Sequence, residues 1–446
     1  MKKFIALLSF LSLICQYAVS QDTDSGFVFD LTVRYRFELW DGYNAKNYGD
    51  DSPDAIGKLN DKLLLQRIIP GVTYSRGKIN AAFHMQDSRA FGWSLNRKNY
   101  PELYRTCDPW SENSFYVMNP QEEYFEIYDL YFEYRELLKN LSVKIGRQKI
   151  FYGDWRIFEM SQWGNTGRYT WDAIKFSYRK NDEYIDIFGG GTKTHDPEKT
   201  YIPFTHLEYL GGGLYAHKNL TPWLDAEPFY ALKTQGTAEY IKTLSINRNW
   251  IGLKLLSPEN QRLSYDLLYV NEFGSEEGNQ IKANGFGLKT SYRFDDLPAT
   301  PELSFAYYYA SGDKPGDDIL QTFDPVYGSK SKFHGYMGLV SWSNLSNPQF
   351  SVRFTAPGKR MFVELKHLLF YIPEPEDCDF LNTMKIKEGS HHLGNETNLY
   401  LRHQHNEHWQ FTGVLGYFNP GDLEQINFKN PENAFWMGLQ VQYNLN

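Results

Sequence analysis

The sequence contains no long apolar run beyond its first residues. After residue 20, no segment approaches eighteen consecutive apolar residues, which excludes a protein that crosses a membrane with helices. Basic charge is also in short supply, because 46 Lys and Arg residues stand against 54 Asp and Glu residues. Proteins that bind nucleic acid need a basic surface to neutralise phosphates, so this acidity argues against nucleic acid as a partner.

The first twenty residues have the pattern of an export signal. Two lysines precede an apolar core from Phe4 to Ile14, and the small residues of "AVS" before Gln21 form a cleavage site. The core is too short to cross a membrane as a helix. We therefore expect residues 1–20 to be a signal peptide. Without its two lysines the mature chain, 21–446, has 44 basic and 54 acidic residues, a net charge of −10.

Cysteine is scarce as well. One of the three cysteines lies in the leader, which leaves Cys107 and Cys378 in the mature chain. Disulfides form in exported proteins, but spacing alone does not decide pairing. A bridge between two long loops and two free thiols both remain open.

Aromatic residues are abundant, with 33 Tyr and 31 Phe, although the mean hydropathy is −0.55. A chain that is polar on average but rich in Tyr and Phe is typical of a transmembrane β-barrel. In such barrels lipid-facing and lumen-facing residues alternate along each strand, and aromatic girdles mark the membrane interfaces.

Alternation of apolar and polar residues is clearest near the two ends of the mature chain. In "LTVRYRFELW" (31–40) the odd-numbered residues from Leu31 to Leu39 form one apolar face, and Arg34, Arg36 and Glu38 share the other. "FWMGLQVQYNLN" (435–446) alternates in the same way. These runs reach ten or more residues, whereas soluble sandwich strands average about 5–6. Their length favours a barrel.

Similar runs recur between the ends and bring the total to about eighteen strands. They lie near 63–75, 78–90, 124–135, 141–152, 171–180, 184–193, 208–217, 226–234, 249–257, 263–272, 284–294, 301–311, 348–356, 361–370, 395–404 and 408–418. Connections after odd-numbered strands are long, such as 91–123 and 312–347, and those after even-numbered strands are mostly short, such as "SRGK" and "APGKR".

This sorting of loop lengths is the pattern of bacterial outer-membrane barrels. The sequence therefore predicts an all-β fold, a transmembrane antiparallel up-and-down β-barrel of about 18 strands with long extracellular loops and short periplasmic turns. It also predicts a place in the bacterial outer membrane.

A barrel of this size can hold an aqueous lumen, and several charged residues are expected to line it. Arg34, Arg36 and Glu38 face away from the apolar side of the first strand, Arg67 is on the predicted inner face of the second, and Arg89 lies near the extracellular rim. Fixed guanidinium groups in a narrow channel attract anions. The alternative is a network of structural ion pairs that stiffens the lumen and closes most of the bore.

The stretch "GRQKIFYGDWRIFEMSQWGNTGRYTWD" (146–172) concentrates charges of both signs at the end of a strand. Simple alternation would point Arg147 and Lys149 at lipid, so either Gly146 marks a bulge that turns them inward or they snorkel at the interface. The connection 153–170 is expected to fold into the mouth. The candidate lumen residues of this stretch are Arg147, Asp154, Arg156, Arg168 and Asp172, with Asp154, Arg156 and Arg168 at a constriction.

These segments carry a family resemblance. "LSVKIGRQKIFYGDWRIFEMSQWGNTGRYTWDAIKFSY", "QDSRAFG" and "GDKPGDDILQTFDPVYGSKSKFHGYMG" resemble blocks of the alginate-export family of outer-membrane proteins. The resemblance implies an eighteen-stranded monomeric barrel with an arginine-rich pore that passes a polyanionic uronate polymer. It also implies outer-membrane lipid, an anionic polysaccharide or small anionic solute, and periplasmic secretion components as partners.

Rival functions have weaker support. The histidines weighed as catalytic bases fall in no nucleophile motif, and they are His84, His206, His217, His334 and His367. "RHQHNEH" (402–408) places its first two histidines on a predicted outer face near the periplasm, where interfacial aromatics are the simpler explanation than a metal site. We therefore expect no catalysis, cofactor or metal. A porin selective for small solutes is the rival among channels, and a receptor or adhesin barrel is a further alternative.

Overall fold

The computed structural model describes residues 26–445 with internal gaps. The gaps are positions 97, 168, 196, 198, 260, 315, 317, 379 and 382, and the ranges 101–104, 108–113, 117–120, 160–162, 238–244, 329–332 and 427–429. The expected signal peptide, Arg168 and the side chain of Cys107 therefore lie outside the described residues. Among the described residues, no helix is long and apolar enough to span a membrane.

Eighteen long antiparallel strands form the body of the molecule. They are β1 Phe27–Asp41, β2 Asp61–Arg76, β3 Ile79–Phe91, β4 Glu123–Leu138, β5 Leu141–Lys149, β6 Thr170–Lys180, β7 Glu183–Lys193, β8 Leu207–Thr221, β9 Leu224–Gln235, β10 Ile246–Leu256, β11 Leu263–Glu276, β12 Asn279–Arg293, β13 Glu302–Ala310, β14 Leu345–Thr355, β15 Met361–Tyr371, β16 His392–Gln404, β17 Trp409–Pro420 and β18 Ala434–Asn444.

The sheet closes on itself into a barrel. Each strand pairs with its predecessor and successor along the chain, and β1 closes the ring by pairing with β18 from Thr32↔Asn444 to Asp41↔Phe435. Closure leaves no sheet edge, so backbone N–H and C=O groups are satisfied between strands without water. The predicted fold and strand number are confirmed.

The strand ends differ from the prediction in one informative place. The expected connection 273–283 is absent, because β11 and β12 continue to a turn of two residues, Glu277 and Gly278, with φ of 49° and 87°. Positive φ at both central residues is the type I′ geometry that tight hairpins favour. Long connections therefore follow the other odd-numbered strands but not β11. We call their end of the barrel the loop end and the opposite end the turn end.

Two long connections fold into the barrel from the loop end. The β5–β6 connection (150–169) meets the β13–β14 connection (311–344), where Glu159 N donates to Tyr327 O at 3.0 Å and Tyr327 N donates to Ile157 O at 3.2 Å. Aromatic side chains of both connections pack on inward-facing residues of the wall. The cluster includes Tyr152, Phe158, Trp171, Phe188, Tyr215, Trp250, Phe323 and Tyr327.

A second apolar cluster covers the loop end on the opposite side of the barrel. It joins the connections after β1, β13, β15 and β17 to the ends of the strands below them, and its members include Tyr48, Leu339, Phe380, Leu423, Phe418 and Trp436. In the β3–β4 connection, Trp93 and Leu95 pack on Leu63 and Leu65. Packed connections therefore fill much of the lumen at the loop end.

Gly146, where the sequence raised a bulge, causes no register shift with either neighbouring strand, but its backbone conformation is unusual. Its φ is +120°, and a Cβ at this position would approach the carbonyl oxygen of Leu130 to 2.2 Å. L-residues rarely adopt this backbone conformation, so glycine is required here on two counts.

We predict that Gly146→Ala lowers the free energy of unfolding by about 1–3 kcal/mol, because the new Cβ is strained by both φ and the Leu130 carbonyl. Urea unfolding of the refolded barrel in detergent, followed by tryptophan fluorescence, measures the change. Gly413→Ala is the matched control, since its nearest atom would be the Leu439 side chain at 3.6 Å. An equal loss in both variants would contradict the prediction.

Candidate functional site

Three arginines of the wall bind one short segment of the β5–β6 connection. Arg34 donates through Nη2 to Gly164 O at 2.7 Å and to Asn165 Oδ1 at 3.1 Å. Arg36 donates to the carbonyl oxygen of Trp163 at 2.6 Å, and Arg67 donates to that of Gly164 at 3.2 Å. We call residues 163–166 the inner turn. Arg34, Arg36 and Arg67 face the lumen, as alternation predicts, but they hold this turn in place.

The side chain of Asn165 completes the attachment of the inner turn. It is fully buried, and its Nδ2 donates to the carbonyl oxygens of Gln66, Arg89 and Gln121 at 2.7–3.2 Å. Ser88 Oγ donates to the backbone carbonyl of Asn165 at 2.6 Å. The turn is thereby bound to the wall by both its backbone and its side chains.

Arg36 has two further contacts that fix it. Its Nε donates to Glu38 Oε1 at 2.7 Å, and its guanidinium carbon lies 4.4 Å from the centre of the Trp163 ring. Glu38 is thus a structural partner of Arg36 inside the lumen. Both side chains are nearly inaccessible to solvent.

Arg156 belongs to a separate charge cluster on the other side of the inner connections. It donates to Asp154 and, at 2.7 Å, to Asp266, which also binds Lys254 at 3.0 Å. Burial lowers the pKa of Arg156, but the charges of Asp154, Tyr308 and Asp266 outweigh it, and the pKa stays well above its ordinary value. Asp154 and Arg156 are paired with each other, and Asp154 lines a lumenal cavity.

Arg147 and Asp172 do not line the open lumen, which corrects the sequence-based expectation. Arg147 donates to both carboxylate oxygens of Asp172 at 2.7 and 2.9 Å, to Glu126 at 2.5 Å and to the carbonyl of Tyr201 at 3.0 Å. Both residues are fully buried. Because residue 201 belongs to the β7–β8 connection, this connection closes over the pair, and Arg147 neither snorkels nor enters the cavities. Lys149, by contrast, reaches the lumen.

Arg89, predicted near the extracellular rim and among the lumen residues, stands on the outward face of its strand. Ser88 points to the inner turn, so Arg89, the next residue, lies on the opposite face, beside its strand partner Gln66. Its guanidinium donates to both carboxylate oxygens of Asp87 at 2.9–3.2 Å. This pair belongs to the rim, and Arg89 does not line the lumen.

The open space toward the turn end includes two adjoining cavities. The first is about 750 Å³, and its lining includes Asp30, Gln410 and Asn444 from strand segments near that end and Trp163 from the inner turn. The second is about 310 Å³ and lies along β12–β16. Tyr336 and Tyr400 line both cavities.

Most charges that line these cavities are paired. In the first cavity Lys149 binds Asp129 at 3.2 Å, and in the second Arg353 binds Glu364 at 3.4 Å. His84 lies between Asp30 at 3.1 Å and Asp129 at 3.5 Å. These contacts give this histidine a structural role. Opposite charges thus cancel along much of the wall.

Among the described residues, two cations of these cavities are bound neither to a carboxylate nor to the inner turn. Lys289 in the second cavity and Arg402 in the first make no ion pair within the described part of the chain. Arg402 Nε instead lies 3.0 Å from the side-chain amide of Gln410. Neither residue was among the candidates predicted from the sequence, although alternation contained the signal, since each stands on the inward face of a correctly predicted strand.

Among the described residues, no group of three or more His, Cys, Asp or Glu side chains could hold a metal ion. His403 is on the outer face, where its ring lies 6.4 Å from that of Phe411. The placement agrees with an interfacial aromatic.

We predict that Asn165→Leu loosens the inner turn, because the substitution removes an amide whose N–H donors serve three part-buried carbonyl oxygens, at about 1–3 kcal/mol for a buried group left unsatisfied. In planar bilayers the variant should show higher single-channel conductance and more frequent current fluctuations than the unmodified barrel. Asn249→Leu, on the outer face, is the control. Unchanged conductance and noise in the Asn165 variant would contradict the role assigned to the inner turn.

Comparison with known proteins supports this architecture. Solved structures with similar folds include Acinetobacter baumannii OccAB2 (10% identity, TM-score 0.58, covering 94% of this chain and 97% of that one) and Pseudomonas aeruginosa OpdO (11%, 0.59, 94% and 97%). Acinetobacter baumannii OccAB3 matches with 10% identity and a TM-score of 0.59, covering 94% of this chain and 99% of that one. At these identities the likeness shows the fold alone. A search of curated protein sequences finds no significant match.

A family model described as "Alginate export" matches residues 27–428. The family and fold are those of outer-membrane channels, so the loop end is extracellular and the turn end is periplasmic. Because the match covers most of its length, this chain of the bacterial outer membrane belongs to the alginate export family.

Proposed function

We propose that the barrel is a passive channel for an anionic polysaccharide, an alginate-like polyuronate. The observation that carries the proposal is the presence of two lumenal cations, Lys289 and Arg402, outside the ion pairs that neutralise most other charges of the cavities. The family to which the chain belongs agrees with such a substrate.

The arrangement suits transient binding of carboxylates. An unpaired cation in a confined wall raises the local concentration of anions, and conduction requires binding strong enough for entry and weak enough for release. Lys289 and Arg402 lie on different strands and in different cavities. A polymer with one carboxylate per sugar could therefore pass from one cation to the next without being held firmly at either.

The paired residues have a different role in this proposal. The inner connections are fixed by contacts from Arg34, Arg36, Arg67 and Arg156, each of which donates to carbonyl or carboxylate oxygens. These arginines shape the passage. A polymer would have to pass beside the inner turn. Passage to the outside therefore requires the connections 150–169 and 311–344 to shift or to leave a channel along the wall.

A porin for small anionic solutes is the second candidate. The packed loop end favours it, because cavities of about 750 and 310 Å³ accommodate short solutes more readily than a continuous polymer. In either case the outer face contacts lipid, the chain acts as a monomer, and no catalytic step is involved. For a polymer, periplasmic secretion components would deliver the substrate at the turn end.

We predict that the double variant Lys289→Gln/Arg402→Gln loses much of its anion preference. The reversal potential under a salt gradient measures selectivity, and block of the ion current by oligomannuronate measures substrate binding. Each removed charge should raise the half-blocking concentration about fivefold, as expected for an interaction on the order of 1 kcal/mol at a wet surface.

Lys282→Gln is the matched control, because Lys282 is exposed and alternates with the buried inward residues Ile281 and Ala283 of β12. An unmodified barrel without anion preference would contradict the proposal. Permeation of glucuronate without block by the polymer would favour the small-solute porin.

A further inference from the structure

Four aromatic rings form a continuous line through the two cavities. Trp163 meets Tyr336 edge to face with ring centres 5.8 Å apart, and Tyr336 stacks on Tyr400 at 5.3 Å with planes inclined by 20°. Tyr400 in turn stacks on Phe362 at 5.4 Å and 21°. We call these residues the aromatic track. It begins at the inner turn, crosses the border between the cavities and ends in the second.

Side-chain amides stand beside the aromatic track in the first cavity. Gln404, Gln410 and Gln442 are direct cross-strand partners on β16, β17 and β18, so their side chains share one face of the sheet. Gln440 lines the same cavity, and its Oε1 is buried without a hydrogen-bond partner within the described residues. A buried, unpartnered acceptor that faces a cavity is costly unless something else satisfies it.

The backbone at Trp155 adds an independent sign of a built site. Trp155 has a φ of +72°, which a bulky residue adopts only under constraint from its surroundings, and its side chain lines the first cavity. Such strain concentrates at binding sites, where it holds a side chain in a required position.

We propose that the aromatic track and its amides form a binding site for the rings of pyranose sugars. This inference rests on the proposed function in taking the lumen as a passage for a saccharide, but it assigns recognition to uncharged groups. The C–H face of a pyranose packs on aromatic rings, and an amide offers one acceptor and two donors to neighbouring hydroxyl groups. The site should therefore bind neutral sugars as well as acidic ones.

The position of Arg402 explains how the same site would distinguish acidic sugars. Arg402 lies between Tyr400 and Gln404 on the inward face of β16. A sugar ring in contact with the accessible edge of the aromatic track at Tyr400, with its hydroxyl groups at the amides, would lie beside this guanidinium. The track would supply binding common to all pyranoses, and the cation would add a preference for uronates.

The test is block of the ion current by two oligosaccharides added at the periplasmic side. One probe is a neutral β-1,4-linked glucose hexasaccharide, and the other is hexamannuronate. Both should block the unmodified channel. Tyr400→Leu should raise the half-blocking concentration of both by about five- to tenfold, since it removes the central stacking ring while keeping bulk. Tyr417→Leu is the control, because Tyr417 is 45% exposed on the outer face of β17.

Circular dichroism shows whether Tyr400→Leu folds. A second variant tests the same site independently in case it does not. Gln440→Met/Gln442→Met removes two amides at similar volume and should weaken block by both probes. Gln66→Met, on the outer face of β2 beside Tyr35, should not. Weaker block in the amide variant alone would support the site even if the Tyr400 variant does not fold.

The outcomes separate this inference from the proposed function. Block by hexamannuronate but not by the neutral hexasaccharide would overturn the sugar site and leave the anion channel standing. Block by the neutral probe in a barrel without anion preference would support the sugar site and remove the polyuronate proposal. Block unchanged in folded Tyr400 and amide variants would overturn the site.

Discussion

The shape of the lumen depends on a set of hydrogen bonds from buried guanidinium groups to a single turn of the chain. Arg34, Arg36 and Arg67 are close to one another on β1 and β2 and are almost fully shielded from water. Like charges in such a place are unfavourable unless strong acceptors surround them. The carbonyl groups of the inner turn and the side chain of Asn165 supply those acceptors. The arginines and the turn therefore require each other.

Further features of the interior follow from this attachment. With the inner turn fixed, the preceding residues 157–159 pair with Tyr327, and the two inward connections pack their aromatic rings on the wall. Trp163 is held under Arg36 and begins the aromatic track. The buried arginines of the lumen thus hold the inner connections in place. Only cations that are bound neither to these connections nor to carboxylates are available to a substrate.

Alternation in the sequence was sufficient to predict the barrel, because the period of two is imposed locally by lipid on one face and the lumen on the other. The same pattern put Arg34, Arg36, Glu38 and Arg67 on the inward faces of β1 and β2, where they contact the inner turn or each other. It could not reveal what these residues contact, since the inner turn lies about a hundred residues away along the chain. It also failed for Arg147, where a connection closes over the strand.

The tight turn at 277–278 shows a second limit. Nothing in "EEGNQ" gave the common Asn-Gly or Asp-Gly signal, so two strands appeared shorter than they are. The aromatic track was beyond prediction for a related reason, because its four rings come from four separate segments. Lys289 and Arg402, in contrast, stood on faces that the sequence had already identified. That these two cations make no ion pair with the described residues could be recognised only in the structure, where the ion pairs of the other lumenal cations are seen.

The central claim is that the arginine-held connections close the lumen toward the outside and leave a periplasmic vestibule that favours anions. Thiol modification at position 440 tests it most directly, with Gln440→Cys placed in a Cys107→Ser/Cys378→Ser background and reconstituted in one orientation. Anionic and cationic thiosulfonates of similar size are then added to one side at a time. The account predicts faster reaction from the periplasmic side, and faster reaction with the anionic reagent than with the cationic one. Equal rates from the two sides, or preference for the cationic reagent, would contradict it.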